Sequence, residues 1–221
     1  MLHVDLYFKR IDISRHLPRP GPECRDCDAA GCRSFVQRFD SGRLAEEARS
    51  GTLTAEGCPL LTANRLDAFR IALAPDVLLP MIELSQLPRP VEPGRVTTGN
   101  AAPNTPILVT ANNEGTVTLM TALLSLSSAT FRLAVVDTRG DSVDMAMILG
   151  SLTAGKVIKA LETPELRNSK TPEPPLRPVV LPGFAAPLAP EIAARSRWRP
   201  VPGPLCAAEL PLFLGDLWHS A

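Results

Sequence analysis

The sequence lacks an excess of charge of either sign, and it lacks a long apolar run. Its 23 basic and 23 acidic residues balance, so the charge does not indicate binding to nucleic acid or to an anionic membrane surface. The most apolar window, residues 71–84, is interrupted by two prolines and two acidic residues and falls short of the roughly 20 residues that a membrane span needs. Asp5 lies where a signal peptide would have its apolar segment. These absences predict a cytoplasmic protein.

Two common cofactor signatures are also absent. Where the first helix of the C-terminal half is expected to begin, near Gly115, there is no G-x-G-x-x-G or G-x-x-x-x-G-K-[ST] pattern. Dinucleotide and P-loop nucleotide binding are therefore weakly supported. Histidine is scarce as well: the three histidines are His3, His16 and His219, and each is expected at the surface.

Four of the five cysteines are instead clustered, with the spacing C-x2-C-x4-C-x25-C. They are Cys24, Cys27, Cys32 and Cys58. Three thiolates in one tight turn and a fourth from a returning segment can converge on one point, and Gly31 allows the chain to turn sharply. In a cytoplasmic protein, clustered cysteines are metal ligands more often than disulfides. The pattern favours an iron–sulfur cluster, most simply 4Fe–4S, over zinc, a disulfide or unliganded thiols.

Composition divides the chain into three parts. Residues 1–62 form the four-cysteine domain, with a helix predicted over residues 34–49. Residues 63–104 follow as a proline-rich linker that contains a short helix at 66–73; the chain has 23 prolines, about twice ordinary usage. The remainder, residues 105–221, alternates between strand and helix patterns.

The periodicity of this C-terminal part predicts an α/β fold. Apolar runs predict strands, and amphipathic or capped segments predict helices. The expected strands are residues 107–110, 131–136, 178–181 and 198–201, and the expected helices are residues 116–126, 153–161, 190–195 and 207–217. Alternating strands and helices indicate an open, mostly parallel sheet with helices on both faces.

In such sheets, ligands bind beyond the carboxyl ends of the strands. The four loops expected at that edge are residues 110–112, 137–140, 182–183 and 202–204, and they consist mostly of small residues. Four loops of this kind favour a site for a flat, bulky ligand. The alternative is that their glycines and prolines only form turns.

Both halves of the chain contain segments that resemble the large (gamma) subunit of the corrinoid iron–sulfur protein of the acetyl-CoA synthase/decarbonylase pathway. The N-terminal segment from Ile11-Asp12-Ile13 through Leu17-Pro18 to the cysteines resembles that subunit's cluster domain. The C-terminal half resembles its corrinoid-binding domain, through Val109–Asn112, Val135–Gly140, Leu181–Phe184 and Pro211–Leu214. The resemblance implies a cobalamin-type corrinoid and a 4Fe–4S cluster held by the four cysteines. The corrinoid-binding residues that it implies are Thr110, Asn112, Thr116, Asp137, Thr138, Gly140, Ser142, Val143, Gly150, Pro182, Gly183, Gly203 and Pro204.

The chain departs from this family in three places. The family has a barrel domain between the two halves, whereas the proline-rich stretch here is far shorter than the roughly 250 residues of such a barrel. The family's Gly-Lys turn reads Gly150-Ser151, and a matching Gly155-Lys156 follows slightly later. The return from Cys32 to Cys58 is longer than usual. Without the barrel, a protein partner is expected to cover the exposed corrinoid face: a small subunit, a methyltransferase or a reductive activator.

The resemblance predicts a methyl carrier or accessory in one-carbon metabolism, a component rather than a stand-alone enzyme, whose cluster reductively reactivates the corrinoid cobalt. No histidine has the Asp-x-His-x-x-Gly context of a His-ligated cobalamin module. The alternative is an iron–sulfur electron-transfer or scaffold protein that has lost corrinoid binding. A mercury-methylation-type protein is a third possibility; it would use Cys206 as a cobalt ligand, but we expect this residue to be a buried structural cysteine.

Overall fold

The chain divides into two compact units. The computed structural model describes residues 16, 42–54, 61–74, 89–98, 105–162 and 177–218. One unit is Pro80–Leu205, and the other combines Met1–Leu79 with Cys206–Ala221. This division does not follow the predicted boundaries at residues 62 and 104. The last residues of the chain belong with the N-terminal unit, a long-range association that local sequence patterns do not reveal.

A five-stranded sheet forms the centre of the unit Pro80–Leu205. Its strands are β1 (Gly94–Thr98), β2 (Ile107–Ala111), β3 (Phe131–Val136), β4 (Arg177–Leu181) and β5 (Trp198–Pro202). Their spatial order is β1-β3-β2-β4-β5. Strands β2 to β5 pair in parallel, whereas β1 pairs antiparallel with β3 at one edge. The predicted mostly parallel sheet is thus confirmed, with one additional strand.

The added strand β1 corrects the prediction that residues 63–104 are a linker. Gly94 pairs with Val135 and Thr98 with Phe131. Between these ends lie two β-branched residues, Val96 and Thr97, which suit a strand. Prolines flank the segment and are tolerated because β1 lies at the edge of the sheet, where one side of the strand needs no ladder hydrogen bonds.

Helices connect the parallel strands. They are α3 (Glu114–Ser125) between β2 and β3, α4 (Val143–Ile148) and α5 (Ala154–Leu161) between β3 and β4, and α6 (Ala189–Arg195) between β4 and β5. A 3₁₀ turn, Gly183–Leu188, precedes α6. Thr153 caps α5 as predicted, because its side chain accepts a hydrogen bond from the Lys156 N–H. The helix α4 was not predicted.

The main core of this unit lies between the sheet and the helices α5 and α6. Alternate strand residues, such as Ile107 and Val109 of β2, belong to one apolar cluster with buried residues of both helices, such as Leu161 and Ile192. The intervening residues, such as Leu108, project to the opposite face of the sheet. Helix α3 contacts β1 and β2, whereas α5 contacts β3 and α6 contacts β5. Right-handed crossovers require this division of helices between the two faces.

Helices also pack together in the unit that combines Met1–Leu79 with Cys206–Ala221. They are α1 (Arg43–Ser50), α2 (Ala63–Leu73) and α7 (Leu210–Leu214), with 3₁₀ turns at Ala207–Glu209 and Gly215–Leu217. Buried residues of α1 and α2, including Leu44, Phe69 and Leu73, form one apolar cluster with Cys206. Cys206 is therefore a buried residue, as predicted. The predicted helix over 207–217 is broken into three short pieces, consistent with Pro211 near the start of α7 and Gly215 at its end.

His16 is partly buried in this unit, which corrects the prediction that it lies at the surface. Its Nε2 lies 2.6 Å from Oε1 of Glu209, and both side chains are mostly buried. A buried carboxylate needs a hydrogen-bonding partner, and His16 provides one. His3, His219 and residues 34–41 of the predicted first helix lie outside the described residues.

Candidate functional site

The strand order defines a switch point at the carboxyl edge of the sheet. The chain leaves β2 towards β3 on one side, while β4 and β5 lie on the other side. The connections after β2 and β4 therefore diverge at adjacent strands. Open α/β sheets bind ligands at such a crevice, so this edge is the candidate site.

The side chain of Asn112, directly after β2, bonds to the protein itself. Its Oδ1 accepts hydrogen bonds from the N–H groups of Thr138 at 2.8 Å and Gly140 at 3.0 Å. Its Nδ2 donates to the carbonyl of Val91 at 3.0 Å. Asn112 is only 2% exposed, and Thr138 is 0% exposed. These two residues, both predicted to contact the ligand, are therefore buried and hydrogen-bonded to each other.

The next residue, Asn113, links the start of α3 to the loop after β3. Its Oδ1 accepts from the N–H of Thr116 at 3.0 Å, which caps the helix, and Thr116 Oγ1 lies 3.1 Å from the same atom. Its Nδ2 donates to the carbonyl of Gly140 at 2.8 Å. Thr116, another predicted contact, is thus engaged in the cap. The role of Asn113 was missed, although asparagine before a helix is a recognisable capping signal.

A short segment before β1 crosses the end of β2. The Val91 N–H donates to the carbonyl of Asn112 at 2.8 Å, and the Glu114 N–H donates to the carbonyl of Arg89 at 2.9 Å. A Cβ added at Gly140 would lie 2.8 Å from the backbone nitrogen of Pro90. Glycine is therefore required at position 140 for contact with the protein's own backbone. This segment covers part of the edge at β2 and β3.

The loops after β4 and β5 are held together in a similar way. The Gly183 N–H donates to the carbonyl of Pro204 at 2.9 Å, and the Gly203 N–H donates to the carbonyl of Leu181 at 2.8 Å. A Cβ at Gly203 would lie 2.7 Å from that Leu181 oxygen. The predicted residues Pro182, Gly183, Gly203 and Pro204 are thus brought together, and the two glycines allow close approach of one loop to the other.

Exposed apolar side chains lie beside these loops, on α4 and the turn after it. Ile148 is 77% exposed, Leu149 61% and Met145 44%. Residues at i, i+3 and i+4 share one helix face, so these three form a single surface, which we call the α4 apolar face. The opposite side of α4 packs into the core through Ala146. Helix α4 also contacts the 3₁₀ turn Gly183–Leu188, whose Phe184 is 37% exposed.

Small and polar residues flank both ends of α4. Ser142, the residue before the helix, donates from its hydroxyl to Asp144 at 2.5 Å, and Val143 begins the helix. After the helix, Gly150 has a φ of 68° and open space around its Cα. The Ser151 hydroxyl lies 3.3 Å from the Asp141 carboxylate. Ser142, Val143 and Gly150 thus flank the α4 apolar face, which was itself not predicted because residues 143–149 were not recognised as a helix.

Charged side chains bond to the loop after β3 or belong to it. Asp137 is exposed, and its Oδ1 accepts from the Arg139 N–H at 3.0 Å. Lys156 Nζ donates to the Asp137 carbonyl at 2.9 Å. By contrast, Thr110 is buried within β2, at 2% exposure, and alternation along the strand directs its side chain to the face opposite Val109.

The four predicted cluster ligands, Cys24, Cys27, Cys32 and Cys58, lie outside the described residues. In the parts of the chain that the structure describes, no group of three or more His, Cys, Asp or Glu residues is placed to hold a metal ion. Within the same parts, none of the helices has the length and apolarity that crossing a membrane would require.

The fold and this edge define an α/β domain of the type that binds ligands at a topological switch point, joined to a second, helical unit. The chain belongs to the CO dehydrogenase/acetyl-CoA synthase delta subunit family, whose family model matches residues 71–214. The matched region includes the whole sheet and every residue of the candidate site.

Curated relatives carry the name acetyl-CoA decarbonylase/synthase complex subunit gamma. The protein of this name from Methanopyrus kandleri is 29% identical over 188 residues, which cover 82% of this chain and 39% of the relative. That from Methanothermobacter thermautotrophicus is 30% identical over 133 residues, covering 59% of this chain and 28% of the relative. The chain thus spans about two fifths or less of the length of these relatives.

Proposed function

We propose that this protein is a corrinoid iron–sulfur protein-like methyl carrier, or an accessory to one, in the one-carbon metabolism of the acetyl-CoA pathway. Family membership supports the pathway, because the relatives are subunits of a complex named for acetyl-CoA. The observation that carries the proposal is the α4 apolar face. It lies exposed beside the switch point, where this class of fold binds ligands.

The residues present fit a corrinoid. A corrinoid is a broad ring with apolar faces, and Met145, Ile148 and Leu149 offer an apolar surface that water otherwise covers. Large exposed apolar patches mark binding sites. Gly150 adds backbone without a side chain and has open space beside it, so a flat ligand could approach closely there. We propose these residues, with Ser142 and Val143, as the ring-contacting set.

The rest of the edge would support this set. Asn112, Thr138 and Gly140 hold the loop that leads to α4, and Gly183 and Gly203 close the adjacent loops. When bound, the corrinoid would supply a cobalt that accepts and surrenders a methyl group, and the cluster would supply the low-potential electron that restores reduced cobalt. The chain's own residues would orient the ring and exclude water from one of its faces.

We further propose that Cys24, Cys27, Cys32 and Cys58 ligate a 4Fe–4S cluster. Their spacing carries this proposal. No barrel of about 250 residues fits between the cysteines and the sheet, so we propose that a protein partner covers the face of the ring that α4 leaves open. A small subunit, a methyltransferase or a reductive activator would suit this role.

Equilibrium binding of two corrinoids to the full chain tests the corrinoid part. Hydroxocobalamin has the ring and a nucleotide tail, whereas cobinamide has the ring without the tail. If the α4 apolar face contacts the ring, both should bind with dissociation constants within about tenfold of each other, a difference of about 1.4 kcal/mol. Retention of neither compound would refute corrinoid binding.

The rival function is iron–sulfur electron transfer or scaffolding without corrinoid. Two observations favour it: Ser151 stands where the resemblance leads one to expect lysine, and the polar groups of Asn112 and Thr138 are bonded within the protein. This rival predicts cluster absorbance after anaerobic reconstitution with iron and sulfide, together with no retention of either corrinoid.

A further inference from the structure

The side chain of Asn112 bonds to two separate segments of its own unit, the loop after β3 and the segment before β1. Its Oδ1 has two lone pairs, and the N–H groups of Thr138 and Gly140 lie 2.8 Å and 3.0 Å from it. Its Nδ2 bonds the Val91 carbonyl. The Thr138 hydroxyl also lies 3.0 Å from Oδ1 but only 2.8 Å from the carbonyl of Asp141. The two N–H groups already fill the lone pairs of Oδ1. We therefore assign the single hydroxyl proton of Thr138 to the bond with the Asp141 carbonyl.

The loop held in this way has an unfavourable backbone conformation. Arg139 has a φ of 63°, the only positive φ at a non-glycine residue among those the structure describes. A bulky residue in the left-handed region costs free energy, and it persists only where surrounding contacts enforce it. The N–H groups on either side of Arg139 converge on one oxygen of Asn112, and the Arg139 N–H itself bonds Asp137. Asn112 is thus the buried anchor of this conformation.

The same loop determines where α4 begins. From Thr138 it runs through Asp141, whose carbonyl accepts the Thr138 hydroxyl and whose carboxylate is close to Ser151. Asp141 and Ser151 flank α4 on either side, so the anchored loop connects Asn112 to both ends of the helix. A shift of this loop would move Met145, Ile148 and Leu149 together.

We infer that Asn112 is a positioning residue for the ligand site: it holds the loop of residues 137–141, and through it the α4 apolar face, in the geometry that binds the ring. This inference rests on the proposed corrinoid function. It replaces the expectation that Asn112 contacts the ligand directly, since the side chain is 2% exposed and its Oδ1 already accepts two N–H groups inside the protein.

The test compares Asn112→Ala and Asn112→Asp with Leu161→Ala in the full chain. Leu161 is a fully buried residue of α5 in the main core, so its truncation destabilises the unit by creating a cavity. Asn112→Asp keeps the acceptor for both N–H groups but loses the donor to Val91. Amide hydrogen exchange of Thr138 and Gly140 is measured by NMR, and hydroxocobalamin affinity is measured by equilibrium titration.

We expect Asn112→Ala to lose the exchange protection of both amides and to weaken hydroxocobalamin binding by about tenfold or more, because two buried donors lose their acceptor. Leu161→Ala should lower the melting temperature at least as much, yet change the affinity by less than about threefold. Asn112→Asp should retain protection at both amides and bind more tightly than Asn112→Ala. If Asn112→Ala does not fold, the amide protection and the hydroxocobalamin affinity of Asn112→Asp are compared with those of Leu161→Ala and the wild type. That comparison still tests the inference.

Three results would overturn the inference. Equal loss of affinity in Leu161→Ala and Asn112→Ala would make Asn112 a stabilising residue only. If Asn112→Asp lost affinity while both amides stayed protected, the conformation of the loop would not be what determines binding. No binding of hydroxocobalamin by the wild type would remove the proposed function and this inference with it, and that result is distinct from the other two because it does not involve a variant.

Discussion

At the scale of single residues, the strand-end loops serve the protein's own backbone more than sequence reasoning anticipated. Small and polar residues at the carboxyl ends of parallel strands are typical of ligand contacts, and they were predicted to be such. In the structure, Gly140, Gly183 and Gly203 admit neighbouring backbone, and the Asn112 side chain bonds to two other segments. Residue type alone does not distinguish space left for a ligand from space filled by another loop.

Gly203→Ala should destabilise the protein, because the new Cβ would lie 2.7 Å from the carbonyl oxygen of Leu181, and backbone cannot move aside cheaply. We expect a loss of about 1–3 kcal/mol in the free energy of unfolding. Gly155→Ala is the matched control: in helix α5, the nearest atom to its Cβ is the end of Arg195 at 3.9 Å. It should gain up to about 1 kcal/mol. Urea unfolding gives the free energy of unfolding of both variants. Equal free energies would contradict the prediction that only Gly203→Ala creates a clash.

Glu209→Ala should destabilise the unit that contains His16, since it removes the carboxylate 2.6 Å from His16 Nε2 and leaves the imidazole mostly buried. The expected loss is about 1–3 kcal/mol. Glu209→Gln preserves an acceptor oxygen and should lose less. Thermal unfolding compares the stabilities of the two variants. If both variants melt at the wild-type temperature, the contact between His16 and Glu209 does not stabilise the protein.

At the scale of elements, the sequence predicted those whose signals are local. Strands β2 to β5 were found from apolar runs such as Phe131–Val136, and α5 was found from the cap at Thr153. Strand β1 was missed because prolines around residues 94–98 indicate a linker, while its pairing partner β3 is distant along the chain. Helix α4 was missed because it has only six residues and its exposed side is apolar, which hides the usual amphipathic pattern.

Leu149→Ser tests the role assigned to the α4 apolar face. Leu149 is 61% exposed, so its replacement should change stability little, but we expect hydroxocobalamin to bind about 3- to 30-fold more weakly because an apolar contact is lost. Leu217→Ser is the control: it is 60% exposed and lies in the other unit. Equilibrium titration should show wild-type affinity for this variant. Equal affinities of the two variants would exclude the α4 apolar face as the contact surface.

At the scale of the whole molecule, the functions proposed for the two units depend on different kinds of evidence. The sheet unit is supported by its observed topology and by family membership over residues 71–214, whereas the cluster is a prediction from cysteine spacing. The association of Cys206–Ala221 with the N-terminal unit could not be predicted, since apolar segments such as Leu210–Leu214 do not specify which core they join. Sequence patterns thus reveal elements better than their assembly.

Single replacements of Cys24, Cys27 or Cys32 by alanine should abolish or strongly reduce the visible absorbance of the reconstituted cluster, because each removes a thiolate ligand. Cys206→Ala is the matched control: this cysteine is buried in an apolar cluster, and its replacement should leave the cluster absorbance and iron content unchanged. Absorbance spectra and iron assays on anaerobic samples make the comparison. Loss of the cluster in Cys206→Ala alone would require a different ligand set.

Metal content measured on the intact chain tests the central claim most directly. The protein would be purified without oxygen, reconstituted with iron, sulfide and hydroxocobalamin, freed of unbound material, and assayed for iron and cobalt per chain. We expect about four iron atoms per chain, as in a 4Fe–4S cluster, and about one cobalt atom per chain in the same preparation. Iron without cobalt would support the electron-transfer or scaffold alternative, and the absence of both metals would contradict the account as a whole.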